Sequence, residues 1–265
     1  AVFQWRGIPQ PGQLLPLGLQ HVVAAVVGVI TPAILVADTC GLSSADKTLM
    51  IQVSLILTAL ATLLQLFPIF HRIGSGLPVI MGISFAYIPT LQAIGGEFGL
   101  PTILGAEIVG GIVAIVFGVL VKWIRPLFPP LVTGTVIFTI GLSLYPTAVK
   151  YMAGGAGSEW FGSAKSWAVA LITLAVVVFL NHFTKGITKL ASILIGILAG
   201  YVIAYFLGIV DLSGVGSAAW VALPRPMPFD IQFVPAACVS LGIVYVVNAV
   251  QTIGDLSSTT MGGMD

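Results

Sequence analysis

The chain has 265 residues, of which 58% are hydrophobic and only 7% are charged, and its formal net charge is +1 at pH 7. Soluble domains carry roughly 25% charged residues, because polar side chains must cover their surface. The composition therefore excludes a soluble globular protein, and the near-neutral charge argues against a nucleic-acid partner. Since one membrane-spanning helix needs about 20 apolar residues, the chain has room for about seven or eight spans.

The first two predicted spans cover residues 14–37 and 48–70, and a polar turn around Gly41 separates them. Residues 1–13 are polar and contain prolines, and they show no cleavable signal peptide. The chain begins without an initiator methionine and ends in MGGMD, so we expect it to be a fragment of a longer protein.

The third predicted span, residues 74–96, is apolar but interrupted. Its helix-breaking residues are Gly74, Gly76, Pro78, Gly82 and Pro89. Because proline removes a helical hydrogen bond and glycine lowers helix preference, we predict extended backbone over 77–83 and a helix from Ser84. Irregular backbone at membrane depth is tolerated only where it is buried in protein or lines a cavity. This broken segment is therefore the first candidate for a binding site.

Five more spans follow the third, and a hard break at 123–130 separates the fourth span from the fifth. They are predicted at residues 101–122, 131–150, 166–183, 188–208 and 233–253. Proline-containing segments interrupt the chain at 123–130 and 211–231. The sequence thus predicts a polytopic, all-α membrane protein.

The distribution of basic residues predicts the orientation. One side holds Arg6, Arg72, Lys122, Arg125, Lys185 and Lys189, and the other holds Lys47, Lys150, Lys165 and Arg225. Cytoplasmic loops carry the excess of Lys and Arg. The N-terminus is therefore predicted to be cytoplasmic and the 146–166 loop external.

Few polar side chains fall within the predicted spans. His21, next to Gln20 in the first span, could relay a proton or hydrogen-bond between helices, and we favour the structural role. Glu107 lies among glycines in the fourth span. A carboxylate there is costly unless it is paired or faces water, so it could join helices or contact a substrate or an ion.

Gln251 and Asp255 are four residues apart and therefore share one face of the last span. The Gln251 amide both donates and accepts hydrogen bonds, which suits the edge of a heterocycle. Asp255 could bind a proton or a cation, or it could cap a helix irregularity after Gly254.

Other motifs point to packing or are missing. Gly196 and Gly200 have the spacing of closely packed membrane helices. Cys40 and Cys238 lie far apart and match no metal motif. Because the chain shows no metalloprotease, serine-hydrolase or Walker A signature, it is not expected to be an enzyme.

Four short segments, taken in order, resemble the nucleobase–ascorbate transporter family, also called the nucleobase–cation symporter-2 family. They are LQH at Leu19–His21, SFAY at Ser84–Tyr87, FPP at Phe128–Pro130 and QTIGD at Gln251–Asp255. LGIVD at 207–211 and WVALP at 220–224 are similar to the bacterial members. The resemblance covers nearly the whole chain.

The resemblance implies a fold of fourteen spans in two inverted repeats of seven. Residues 1–126 would form core spans 1–4, residues 127–210 would form gate spans 5–7, and residues 211–265 would form an external loop and core span 8. The broken third span would hold the family's short extended stretch. The resemblance also implies a location in the inner (plasma) membrane and allows a homodimer through the gate domain.

The resemblance also assigns roles to residues. Substrate contacts would come from the backbone at Phe85 and Ala86, from nearby Tyr87, and from Gln251. The surrounding site or coupling network would contain Gln20, His21 and Asp255, and we add Glu107 to it. The family usually has glutamate where this chain has Gln251, and the amide keeps the hydrogen bonds but loses the charge and the proton.

The function implied is secondary active transport of a nucleobase, coupled to H⁺ or Na⁺, with a purine such as xanthine or urate as substrate. A uracil, ascorbate or inorganic anion transporter of the same fold stays open, as does a non-transporting membrane scaffold or sensor. The expected partners are the nucleobase and the lipid bilayer. Apart from the coupling ion, no cofactor is expected, and neither a bound metal nor a nucleic-acid partner is expected.

Overall fold

The computed structural model describes residues 11–69, 73–124, 129–155, 158–210 and 229–263, together with Leu212, Gly216 and Arg225. Within these residues the protein is helical, with one isolated β-bridge between Ile69 and Ile73. The helices are α1 Pro11–Thr39, α2 Ser44–Leu66, α3 Ile88–Phe98, α4 Leu100–Ile124, α5 Pro130–Ser143, α6 Tyr145–Met152, α7 Ala164–Phe183, α8 Ile187–Leu190, α9 Ser192–Phe206 and α10 Pro235–Gly263. The predicted all-α class is confirmed for this part of the chain.

Four of the described helices are long and apolar enough to cross a membrane. They are α2, α4, α7 and the Pro235–Ser257 part of α10. The Ala25–Thr39 part of α1 and the whole of α9 are apolar but shorter. Lipid can therefore solvate the many large apolar side chains that these helices leave exposed.

The chain divides into two compact units. The first includes Ala25–Ser143 and Pro224–Asp265, and the second includes Leu14–Ala24 and Leu144–Leu223. Each unit has its own close helix packing.

In the first unit, α4 and α10 pack together, and small residues permit the close approach. A Cβ atom added at Gly105 would overlap the backbone carbonyl of Gln232. The Gln232 N–H donates to the Pro101 carbonyl over 3.0 Å, which ties the segment before α10 to the start of α4. The buried core around this contact consists of Val36, Leu91, Ile94, Leu100, Ile103, Ala106, Ala237 and Leu241.

The predicted break in the third span is present, because residues 74–84 form no helix. Gly74 and Gly76 have φ angles of 93° and 71°, which glycine adopts most readily. The segment then runs beside α2, where the Met81 N–H donates to the Thr62 hydroxyl oxygen over 3.1 Å. Side-chain and backbone groups of α2 thus satisfy polar groups that a helix would have paired internally.

A short helical turn ends this segment. Ser84 has an extended conformation, and its hydroxyl oxygen accepts a hydrogen bond from the Ala86 N–H. A one-turn 3-10 helix, Phe85–Tyr87, then leads directly into α3. The extended conformation predicted over 77–83 is interrupted, because the Val79 N–H donates to the Leu77 carbonyl in a tight turn.

Two predicted spans are each split in the structure. The predicted helix at 131–150 is wrong as a single element, because α5 ends at Ser143 and α6 begins at Tyr145. Pro146, in the first turn of α6, explains this break, since proline lacks an N–H and clashes inside a helix. The predicted helix at 188–208 divides at Ala191. No residue in its sequence requires that division.

The last span is longer than predicted. α10 continues to Gly263 rather than ending at 253, so the serine and threonine run at 257–260 is helical. The Thr259 and Thr260 hydroxyls donate to carbonyls of the preceding turn. This back-bonding gives each hydroxyl a hydrogen-bond acceptor within the helix. The helix is continuous at Asp255, so the predicted capping role after Gly254 is wrong.

Several predictions concern residues that the structure does not describe. They include Arg6, Arg72 and Arg125, which support the orientation, and Phe128 of the FPP segment. Most of the 211–231 loop, including the WVALP segment, also lies outside the described residues.

In the second unit, α7 and α9 pack through the two glycines singled out in the sequence. Gly196 faces the Val177 side chain, and a Cβ atom at Gly200 would lie 2.5 Å from the Thr173 hydroxyl oxygen. Both glycines are buried. Their predicted role in close helix packing is confirmed.

Candidate functional site

A cavity of about 610 Å³ lies within the first unit, between the broken segment and parts of α1, α2, α4 and α10. Most of its wall is apolar and includes Val36, Leu57, Leu91, Leu104 and Phe229. The polar and charged side chains on the wall are Ser54, Ser84, Tyr87, Glu107, Arg225, Tyr245 and Asn248. A concave, mostly apolar site with a few polar groups is typical of small-molecule binding.

Glu107 of α4 and Tyr245 of α10 form a hydrogen bond at this wall. The tyrosine hydroxyl donates to the Oε2 atom of the carboxylate. Gly110, one turn along α4 from Glu107, lies against the tyrosine ring, and a Cβ atom there would overlap it. The absence of a side chain at Gly110 therefore lets the ring lie beside the carboxylate.

Tyr87 connects this pair to the broken segment. Its ring packs on the Tyr245 ring with the centroids 4.8 Å apart and the planes tilted by 59°. Tilted aromatic pairs at this distance are favourable. The Asn248 side chain lines the same cavity as Tyr87. Three elements, α4, α10 and the 3-10 helix, thus meet at one polar cluster made of Glu107, Tyr245, Tyr87 and Asn248.

The polar cluster continues along α10. Tyr245, Asn248 and Gln251 follow one another at intervals of three residues, so they lie along the same side of the helix. The Oε1 atom of Gln251 is buried and accepts no hydrogen bond from any described residue. A buried carbonyl oxygen without a donor carries an energetic cost that a bound N–H group would relieve.

The structure places six of the eight predicted site residues in three groups. Tyr87 and Glu107 line the cavity. Phe85 and Ala86 precede Tyr87 in the 3-10 helix, and both are partly buried. Gln251 and Asp255 belong to α10 beyond the part that lines the cavity, and Asp255 is exposed.

The two residues predicted in the first span, Gln20 and His21, both belong to α1. His21 is exposed and lies in the part of α1 that belongs to the second unit. The side chain of Gln20 lies outside the described residues.

Sequence reasoning missed Tyr245, Asn248, Ser54 and Arg225 as lining residues. A signal existed for two of them. Tyr245 and Asn248 precede Gln251 by six and three residues, and that spacing repeats the helical period. No comparable pattern marks Ser54 or Arg225.

The charges at the cavity are few. Among the lining residues, Glu107 is the carboxylate and Arg225 is the cation. The described residues contain no group of three His, Cys, Asp or Glu side chains placed to hold a metal ion. The wall therefore offers hydrogen bonds, aromatic faces and one charge of each sign to a small molecule.

Comparison with known proteins gives consistent matches. Residues 12–261 match the model of the Permease family. The chain is 38% identical to the uric acid permease PucK of Bacillus subtilis over 91% of its length. It is 37% identical to the xanthine permease of Bacillus subtilis over 96% of its length, and 33% identical to the uric acid transporter UacT of Escherichia coli over 93%.

The aligned regions cover 56%, 59% and 52% of those three relatives, respectively. The chain thus spans little more than half the length of the curated relatives that it matches.

Proposed function

The chain belongs to this permease family, and from that premise we propose that the protein is a secondary active transporter of a nucleobase. Its proposed substrate is a purine such as xanthine or uric acid, and its proposed driving force is a gradient of protons or another cation. The names of the relatives support the substrate class. The observation that carries the proposal is the polar cluster on the wall of an otherwise apolar cavity.

The chemistry of the wall suits a purine. A planar heterocycle presents apolar faces and an edge of N–H and carbonyl groups. The Tyr87 and Tyr245 rings offer aromatic faces, and Asn248 offers both a donor and an acceptor. The volume of about 610 Å³ falls in the range of small-molecule sites.

In this proposal the base contacts the backbone at Phe85 and Ala86, the Tyr87 side chain and the Gln251 amide. Gln20, His21, Asp255 and Glu107 belong to the surrounding site or coupling network. The position of Phe85–Tyr87 between the broken segment and α3 supports their part of this assignment.

We further propose the larger arrangement that the family resemblance implies. Residues 1–126 and 211–265 contribute to a core domain, and residues 127–210 contribute to a gate domain through which two copies associate. The protein lies in the plasma membrane with its N-terminus in the cytoplasm. The four apolar helices of spanning length support the membrane location.

Uptake measurements test the proposed function. Cells that lack their own purine permeases would express the natural protein that contains this sequence, and uptake of radiolabelled xanthine, uric acid, uracil, ascorbate and sulfate would be compared. We expect saturable uptake of a purine that unlabelled purines inhibit. Uptake of ascorbate or sulfate alone would contradict the proposal, and binding of a nucleobase without flux would favour a sensor.

The orientation gives a separate prediction. Lys150 and Lys185 are both exposed, and α7, a helix of spanning length, lies between them in the chain. With every cysteine of the natural protein, including Cys40 and Cys238, replaced by alanine, Lys150→Cys should react with an impermeant thiol reagent added outside intact cells. Lys185→Cys should react only after the cytoplasmic side is opened. Equal labelling of both positions from outside would overturn the orientation.

A further inference from the structure

We propose that Glu107 binds and releases the proton that moves with the nucleobase, and that Tyr245 and Tyr87 transmit its protonation state to the broken segment. This inference rests on the proposed function, because it assigns the coupling role within the same cavity. Its argument comes from the position of the carboxylate, its partners and the charges around it.

The position of Glu107 is unusual for a carboxylate. It lies within α4, a helix of spanning length, and it reaches the cavity wall rather than a helix end. Carboxylates at such depth are costly, and they are retained where they carry protons or ions or contact substrates. The neighbouring buried positions Gly105, Ala106 and Gly110 carry no polar side chain that could serve as a partner.

The hydrogen bonding of Glu107 allows one of its carboxylate oxygens to bind a proton. Among the described residues its partner is the neutral Tyr245 hydroxyl, which donates to Oε2. In the described part of the chain the hydrogen bond to this carboxylate is made at Oε2, so a proton would occupy Oε1. In the carboxylate form Glu107 attracts the hydroxyl hydrogen of Tyr245. In the protonated form it has a donor of its own, so the contact with Tyr245 changes.

Tyr245 links this change in hydrogen bonding to the broken segment. Its ring packs against Tyr87, which directly follows the broken segment and Phe85–Ala86. Asn248, one turn further along α10, lines the same cavity as Tyr87. A movement of Tyr245 is therefore transmitted to Tyr87 by direct contact, and from Tyr87 to the adjacent backbone of Phe85 and Ala86, which is proposed to hold the base.

The other charged and titratable groups at this wall are few. Tyr87 and Tyr245 face the carboxylate, and Arg225 lines the same cavity. Among the described residues, the ion pair joins Asp38, at the end of α1, to Lys47, in the first turn of α2, and does not include Glu107. In the part of the chain that the structure describes, no Lys or Arg side chain is paired with Glu107. Binding of a proton by Glu107 therefore removes a negative charge from the cavity and changes its electric field. The proton comes from water on the side to which the cavity is open, and it is released to water on the other side.

The test compares coupled transport with exchange in proteoliposomes that contain the natural protein and a pH-sensitive dye. Glu107→Gln keeps the size of the side chain and an acceptor for Tyr245 but cannot take up the proton. We expect purine-driven proton movement and uphill accumulation to fall by about tenfold or more, as loss of one charged interaction implies. Exchange of labelled for unlabelled purine should continue, and its rate should lose its dependence on pH.

Glu97→Gln is the matched control. Glu97 is an exposed carboxylate near the end of α3, and it does not line the cavity. This variant should accumulate purine and move protons like the parent. A decoupled Glu97→Gln would contradict the assignment, since the effect would then not depend on the cavity carboxylate.

Two conservative variants keep the inference testable if Glu107→Gln does not fold. Glu107→Asp retains a titratable group, so coupled proton movement should persist. Tyr245→Phe removes the hydrogen bond that favours the carboxylate, so the midpoint of the pH dependence of uptake should move to higher pH. An unchanged pH profile in Tyr245→Phe would overturn the inference.

The outcomes separate this inference from the proposed function. If the parent protein carries a purine but moves no proton with it, or if Glu107→Gln stays fully coupled, the inference fails and the transport function stands. If the parent carries no nucleobase at all, the proposed function itself fails.

Discussion

Gly110→Leu should reduce purine transport at least tenfold, because it separates the two helices that build the polar cluster. A Cβ atom at this position would overlap the Tyr245 ring, and a leucine side chain adds three more carbons. Overpacking of a close contact costs about 1–3 kcal/mol. Loss of the Tyr245 donor would leave the Glu107 carboxylate without its recorded partner, at a further cost of about 1–3 kcal/mol. Since about 1.4 kcal/mol corresponds to a tenfold change in an equilibrium, these two costs together lower the population of the binding-competent state at least tenfold.

Gly111→Leu is the matched control for this prediction. Gly111 is the next residue of α4, and a Cβ atom there meets nothing within 4 Å. Leucine also favours a helix more than glycine does. Uptake and thermal stability of Gly111→Leu should therefore equal or exceed those of the parent. If both variants lost transport equally, close packing of α4 on Tyr245 would not be the reason.

Gln251→Ala should weaken purine binding by roughly five- to 150-fold, which corresponds to about 1–3 kcal/mol. The Oε1 atom of Gln251 is buried and accepts no hydrogen bond from the described residues, so a donor on the substrate would satisfy it. The same observation predicts little loss of stability in the substrate-free protein, because alanine removes no recorded hydrogen bond of that atom. Equilibrium binding of labelled xanthine or uric acid, measured beside the melting temperature, checks both expectations.

Gln251→Glu tests the same position for coupling. A carboxylate there should give binding or uptake a new dependence on pH in the range where a buried carboxyl group titrates. If Gln251→Ala binds a purine as well as the parent does, the position serves only helix packing. Asp255 and His21 would then be the next candidates.

The sequence predicted those features that depend on neighbouring residues. Apolar length identified α2, α4 and α7, and each lies within a few residues of its predicted range. The helix break at 74–84 followed from glycines and prolines that act on their own backbone. Pro146 carried a similar local signal for the division between α5 and α6, which the prediction overlooked.

The polar cluster could not be predicted in the same way. Glu107 and Tyr245 are 138 positions apart, and only the packing of α4 on α10 brings them together. The sequence identified Glu107 because a carboxylate in an apolar span is conspicuous. The spacing from Gln251 marks Tyr245 as a residue on the same side of α10, but nothing in the sequence pairs it with Glu107. Long-range contacts of this kind need the structure.

Substrate protection of the cavity wall tests the central claim most directly. With every cysteine of the natural protein, including Cys40 and Cys238, replaced by alanine, Ser54→Cys and Ser84→Cys place one thiol on each of two walls of the cavity. Ser158→Cys provides an exposed control position in the second unit. The natural protein would be alkylated in detergent or liposomes with and without saturating xanthine or uric acid. The account predicts slower alkylation at positions 54 and 84 with purine and no change at 158. Unchanged rates at both cavity positions, in variants that still transport purine, would contradict it.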